Sequence, residues 1–117
     1  MTLYEAIEAH VAWKQRLIAL IDSGDEKGMQ RVGDETACEL GRWIQQNGEV
    51  YGNLTLFQRL QDEHIAFHRY AEAVVEAVHA NDLNRANEIL NGEYNTMSMH
   101  IMRTMAKLRR EVERQPK

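Results

Sequence analysis

The stretch TLFQRLQDEHIAFHRYAEAVVEAVH, residues 55–79, decides the fold. Its apolar residues recur every three or four positions, which is the spacing of one buried face of an α-helix. Thr55 and Gln58 form a capping-box pattern, so we predict a helix that begins at Thr55 and ends at the last residue of the stretch. The residues of this face are Phe57, Leu60, His64, Phe67 or His68, Ala71, Val74 or Val75, and Val78.

Three further amphipathic stretches are predicted to be helices. They cover about residues 2–23, 34–46 and 81 or 82 to 114, and the only proline of the chain is its penultimate residue. The apolar stripe of the last of these helices is Ala86, Leu90, Glu93 or Tyr94, Met97, Ile101, Met105, Leu108 and Val112. Three long helices, one short helix and brief connections predict an all-α fold, an antiparallel four-helix bundle whose short helix carries Cys38.

Composition limits the class of protein. The chain has 117 residues, of which 44% are hydrophobic and 27% charged, so residues 1–117 are expected to form one globular domain. The formal net charge is −4 and no basic block occurs, which argues against nucleic-acid binding. No apolar run is long enough for a membrane span, and no signal-peptide pattern opens the chain. A single cysteine cannot form an internal disulfide, which indicates a reducing compartment, the cytoplasm.

Four side chains on the predicted inward faces are of types that bind metals. His64 and His68 are four residues apart on one helix face, so their imidazoles can converge on one ion. His10 falls on the apolar stripe of the first helix, and Cys38 is the only thiol. Imidazole and thiolate suit zinc better than magnesium or calcium, and tetrahedral zinc takes four ligands. A carboxylate that holds one imidazole by its free N–H is also expected, and the candidates are Glu35, Glu39, Asp62 and Glu63.

Three interpretations of these residues stay open at this point. In a metal-free interaction domain, the histidines would bond to backbone carbonyls or water and Cys38 would be a small core residue. A His-x3-His pair in a four-helix bundle is also suggestive of a hemerythrin-like non-haem di-iron protein. Such sites need carboxylates, often in Glu-x-x-His pairs, and no pair of this kind occupies an inward position. Four protein ligands would instead close a zinc site against activated water, which predicts a regulatory protein and not an enzyme.

Three motifs follow one another in a specific order along the chain. They are EAHVAWK at residues 8–14, CELGRWI at residues 38–44 and HIAFH at residues 64–68. A histidine near an aromatic residue, a Cys-x-Leu-Gly-x-Trp segment and a His-x3-His pair together resemble the chemoreceptor zinc-binding domain. The resemblance extends over about residues 5–105, and the cysteine segment is its most specific part.

The resemblance implies a ligand set and a role. Zinc would be held by His10, Cys38, His64 and His68 within a four-helix bundle. The domain would regulate a bacterial chemoreceptor or a diguanylate cyclase, sense zinc or oxidants that act on the zinc-bound cysteine, and form a homodimer. Family members are usually fused to an output domain. This sequence contains no GGDEF-type motif and no long receptor coiled coil, so we expect either a free-standing member or a fragment.

Overall fold

The computed structural model describes residues 3–24, Val32 and residues 38–114, and its described side chains in the first helix are those at 5, 8 and 12–23. All the regular structure in this part of the chain is helical. It consists of α1 (Leu3–Ser23), α2 (Glu39–Tyr51), α3 (Thr55–His79), α4 (Leu83–Ile89), a π-helical turn (Leu90–Tyr94) and α5 (Asn95–Arg114). Because α4, the π-helical turn and α5 follow one another without a break, the fold is a bundle of four helical segments, and the predicted all-α class is confirmed.

Helix α3 lies at the centre of the bundle and contacts every other helix. Its direction is opposite to that of α5, since Phe67 packs on Tyr94 while Glu63, one turn earlier, meets Thr104. The core contains fully buried apolar residues from all the helices: Leu17, Leu20, Leu40, Phe57, Leu60, Phe67, Ala71, Val74, Ala86, Ile101, Met105 and Leu108. Each of these side chains larger than alanine contributes about 1.5–3 kcal/mol of burial free energy. Among the described residues, no helix has both the length and the apolar character that a bilayer span requires.

The first turn of α3 differs from its prediction, although the bounds of the helix agree with it. Leu54 is the N-cap and no side chain caps the helix, so the predicted capping box at Thr55 and Gln58 is wrong. Leu54 packs partly buried against the core, and its N–H donates to the carbonyl of Tyr51. The amide of Gln58 donates instead to the carbonyl of Gly52, at 3.0 Å. The entry into α3 is therefore held by packing of Leu54 and by hydrogen bonds to Tyr51 and Gly52, without a side-chain cap.

The start of α2 also differs from its prediction. Residues 34–37 lie outside the described part of the chain, but Cys38 has an extended backbone, with φ −97° and ψ 160°. The helix begins at Glu39, so the prediction that Cys38 lies within the helix is wrong. Cys38 is its N-cap, and the thiol sulphur accepts a hydrogen bond from the N–H of Gly41 at 3.3 Å. A sulphur atom thus takes the position in which a serine or aspartate oxygen usually begins a helix.

The end of α2 lies later than predicted. The predicted helix ended at about residue 46, yet the helix continues to Tyr51. The side-chain amide of Asn47 donates to the carbonyl of Trp43, one turn earlier, at 2.8 Å, and so supports the helix. The chain leaves the helix at Gly52, where a Cβ atom would collide with the carbonyl oxygen of Gly48. Glycine at position 52 makes this tight exit possible.

The fourth helical segment begins and bends for local reasons. The carboxylate of Asp82 accepts a hydrogen bond from the N–H of Arg85 at 3.0 Å, which confirms one of the two predicted caps. Asn81 lies in the turn before it with a left-handed φ of 60°. The prediction of an uninterrupted α-helix is wrong, because residues Leu90–Tyr94 form a wider, π-helical turn between α4 and α5. Within that turn Tyr94 is buried and Glu93 is exposed, which decides between the two predicted stripe positions.

Candidate metal centre

His64 and His68 face the interior of the bundle from successive turns of α3. Their side chains are 1% and 0% exposed, which confirms the prediction that both point inward. The ring centroids are 4.6 Å apart and the ring planes are nearly perpendicular, at 83°. The two Nε2 atoms lie 3.0 Å from each other. A spacing of four residues places the two imidazoles one helical turn apart, so their outer nitrogens converge on one point.

Cys38 brings its sulphur to the same point from the start of α2. The Sγ atom lies 3.0 Å from Nε2 of His64, although 26 residues separate the two in the sequence. The side chain is buried, with 6% of its surface exposed. Burial raises the pKa of the Cys38 thiol, while the hydrogen bond from Gly41 lowers it and so opposes part of that effect. The same sulphur atom therefore caps the N-terminus of α2 and lies beside an imidazole of α3.

Together, Cys38, His64 and His68 form a buried cluster of donor atoms. One ligand atom from each residue can be chosen so that all three lie within 4.8 Å of one another. Donor atoms around a tetrahedral zinc ion lie roughly 3.3–3.6 Å apart, so the two separations of 3.0 Å need to widen by only a few tenths of an ångström. Thiolate and imidazole are the donors that zinc prefers. These residues therefore fit zinc in both chemistry and placement.

The orientation of His68 is fixed by groups around its ring. Its Nδ1 atom donates a hydrogen bond to the carbonyl oxygen of Val32 at 2.7 Å. Trp13 and Phe67 both pack against the ring in edge-on geometry, with centroid distances of 5.7 and 5.5 Å. The guanidinium group of Arg16 lies over the ring of Trp13, 5.0 Å from its centroid. Hydrogen bonds and packing of this kind orient an imidazole toward a metal.

The predicted hydrogen bond from an imidazole to a carboxylate is not the one that the structure shows at His68. Glu63 accepts a hydrogen bond from the hydroxyl of Thr104 on α5, and Glu39 and Asp62 are exposed. Glu35, the fourth candidate, lies outside the described residues. The partner that the structure gives His68 is a backbone carbonyl. Sequence reasoning could not find this group, because a main-chain oxygen has no residue type of its own.

His10, the remaining predicted ligand, lies on α1, but its side chain is outside the described part of the structure. The structure thus brings together three of the four predicted residues, and the position of the His10 imidazole stays a prediction. Trp13, three residues further along the same helix, contacts the ring of His68. The segment of α1 that carries the first motif therefore reaches the cluster.

A buried cluster of one thiol and two imidazoles between the helices of an all-α bundle defines a metal-binding helical domain. A family model described as the chemoreceptor zinc-binding domain matches residues 10–75 of the chain. Since this match covers more than half of the 117 residues, the chain belongs to the chemoreceptor zinc-binding domain family. Members of this family are regulatory sensor domains of signalling proteins. Family and donor set together identify zinc as the cofactor. No curated protein and no solved structure gives a significant match.

Proposed function

We propose that this chain is a zinc sensor domain in which His10, Cys38, His64 and His68 hold one zinc ion. The observation that carries the proposal is the convergence of the Cys38 sulphur and the two imidazoles within a buried cluster. When bound, zinc supplies a positive centre that stabilises the thiolate form of the cysteine. The side chains of α3 supply imidazole donors, and the carbonyl of Val32 keeps a proton on Nδ1 of His68, so that Nε2 is the nitrogen available to the metal.

The proposed sensing step depends on the double role of Cys38. Its sulphur begins α2 through the hydrogen bond from Gly41 and joins α2 to α3 through its position beside His64. Oxidation of the sulphur or loss of the metal would weaken the helix cap and the link between the helices at the same time. Because α2 is the shortest of the helices that reach the cluster, we propose that its position changes with the state of the sulphur.

The cluster favours this function over the alternatives. A di-iron site needs bridging carboxylates, and the donor cluster among the described residues consists of a thiol and two imidazoles. A full set of four protein ligands leaves no position for an activated water, so we propose that the domain is not an enzyme. In a metal-free interaction domain these side chains would form only a buried hydrogen-bonding network, and the family match favours the zinc site over that role.

The signalling context follows from the family and from composition. We propose that the domain, which spans residues 1–117, acts in the cytoplasm as a homodimer and regulates a chemoreceptor or a diguanylate cyclase. It would respond to zinc, or to oxidants that act on the zinc-bound cysteine. The net charge of −4 argues against nucleic acid as a partner. No membrane interaction is proposed.

Elemental analysis of the purified chain, combined with its mass in solution, tests the proposal. We expect one zinc and no iron per chain, and a mass of two chains. The double variant Cys38→Ser/His68→Ala should contain almost no zinc, while His100→Ala, a variant of an exposed histidine on α5, should contain the wild-type amount. Full zinc content in the double variant, or iron in place of zinc, would contradict the proposal.

A further inference from the structure

A polar groove of about 290 Å³ lies between α3 and α5, separate from the metal centre. It is lined by Arg59, Glu63, His100, Arg103, Thr104 and Lys107. Arg59 and Glu63 are one turn apart on α3, and the other four residues follow a spacing of three or four along one side of α5. The helical period therefore directs these side chains into the same space.

Positive charge dominates the groove. Among the described residues that line it, the one carboxylate belongs to Glu63, which accepts a hydrogen bond from the buried hydroxyl of Thr104. Arg59, Arg103 and Lys107 form no ion pair with any residue that the structure describes. Three cations therefore converge beside one engaged carboxylate, on a chain whose net charge is −4. Like charges that share a groove repel one another, and an anion between them would relieve that repulsion.

We propose that this groove binds a polyvalent phosphate anion, such as a pyrophosphate group. The planar guanidinium groups of Arg59 and Arg103 offer paired N–H donors that match phosphate oxygens, and Lys107 adds a point charge. All six lining residues that the structure describes are polar or charged, so charge and hydrogen bonds provide the recognition. The volume accommodates more than one phosphoryl group. This inference does not depend on the proposed zinc function.

Titration of the zinc-loaded full chain with inorganic pyrophosphate, followed through backbone amide NMR shifts, tests the inference. Shifts should concentrate at the six lining residues and should weaken as the salt concentration rises. Arg59→Gln and Arg103→Gln should each weaken binding by about tenfold or more, since each removes a charge-assisted hydrogen bond. Arg69→Gln is the matched control, because it removes an exposed arginine from the same helix away from the groove. That variant should bind as the wild type does.

Additional titrations distinguish a free pyrophosphate from a nucleotide as the ligand. Measurements of zinc content control for the removal of zinc by pyrophosphate. Adenosine should not bind, and ADP should bind as tightly as pyrophosphate if the phosphate groups alone are recognised. Zinc content is measured after each titration, and the same groove shifts should occur in the metal-free chain. Equal weakening in Arg69→Gln, tight binding of adenosine, or no shift at the groove at millimolar pyrophosphate would overturn the inference. Loss of zinc binding alone would leave it standing.

Discussion

The Nδ1 atom of His68 lies 2.7 Å from the carbonyl oxygen of Val32. A carbonyl oxygen can only accept, so Nδ1 carries a proton, and in the neutral imidazole the lone pair then lies on Nε2. That Nε2 atom lies 3.0 Å from Nε2 of His64, inside the donor cluster. The carbonyl of Val32, in the chain between α1 and α2, thus favours the tautomer whose Nε2 atom can bind a metal.

The two roles of Cys38 can be separated by two substitutions. Serine is a good N-cap but a poor zinc ligand, and alanine can do neither. We expect both Cys38→Ser and Cys38→Ala to lose zinc affinity by at least about 100-fold. In the metal-free state, Cys38→Ala should be less stable than Cys38→Ser by about 1 kcal/mol, because only the serine can accept the hydrogen bond from Gly41.

Competition with a chelating dye measures the zinc affinity of these variants, and urea unfolding measures the stability of the metal-free forms. Asp82→Ala provides a control, since it removes the cap of α4 and leaves the donor cluster unchanged. It should also cost about 1 kcal/mol but retain wild-type zinc affinity. Equal stability of the two Cys38 variants would show that the sulphur does not cap α2.

The two tryptophans differ in the rings that they contact. Trp13 and Trp43 are 8% and 7% exposed, so they are buried to a similar extent. Trp13 packs edge-on against His68, whereas Trp43 packs on Tyr51 and Phe57. We expect Trp13→Phe and Trp43→Phe to destabilise the metal-free protein by similar amounts, about 1–2 kcal/mol.

Only Trp13→Phe should also weaken zinc binding, by roughly three- to tenfold, because it loosens the ring of a ligand. The measurements are urea unfolding and dye competition on the same two samples. Equal zinc affinity in both variants would mean that the contact with His68 does not orient the imidazole.

The features that sequence predicted are those carried by a periodic pattern. The bounds of α3 and the inward direction of His64 and His68 follow from the spacing of its apolar residues. The pairing of Cys38 with these histidines followed from ligand chemistry, because thiolate and imidazole are both zinc ligands. Both predictions depend only on which residue types occur at which positions.

The features that sequence missed depend on single contacts. Whether Cys38 lies within α2 or caps it is decided by one hydrogen bond to Gly41. The π-helical turn leaves the apolar stripe intact, so the pattern of residues around Tyr94 does not reveal it. The partner of His68 is the main-chain carbonyl of Val32, for which any residue type would serve.

Zinc binding should release the proton of Cys38. Burial raises the pKa of this thiol, so the sulphur is protonated at neutral pH in the metal-free protein, and binding as a thiolate must displace the proton. The apparent zinc affinity should therefore rise with pH, by about tenfold per unit for one proton, until the pH reaches the thiol pKa.

Calorimetric zinc titration in two buffers of different ionisation enthalpy counts the protons released. The wild type should release one proton more than Cys38→Ser, which retains the imidazoles and lacks the thiol. Equal release by the two proteins would show that the sulphur is already a thiolate before the metal binds.

Tyr94 should make the fold sensitive to alkaline pH. Burial raises the pKa of its hydroxyl well above the ordinary value of 10.0. A folded-state pKa above the unfolded value gives a contribution to stability that is complete below about pH 10 and is lost as the pH rises further. We expect the urea midpoint of the wild type to fall between about pH 9 and pH 11, and that of Tyr94→Phe to fall less. Tyr70→Phe, which alters a half-buried tyrosine on α3, should keep the wild-type fall. If Tyr94→Phe and Tyr70→Phe respond alike, the buried hydroxyl of Tyr94 is not the group responsible.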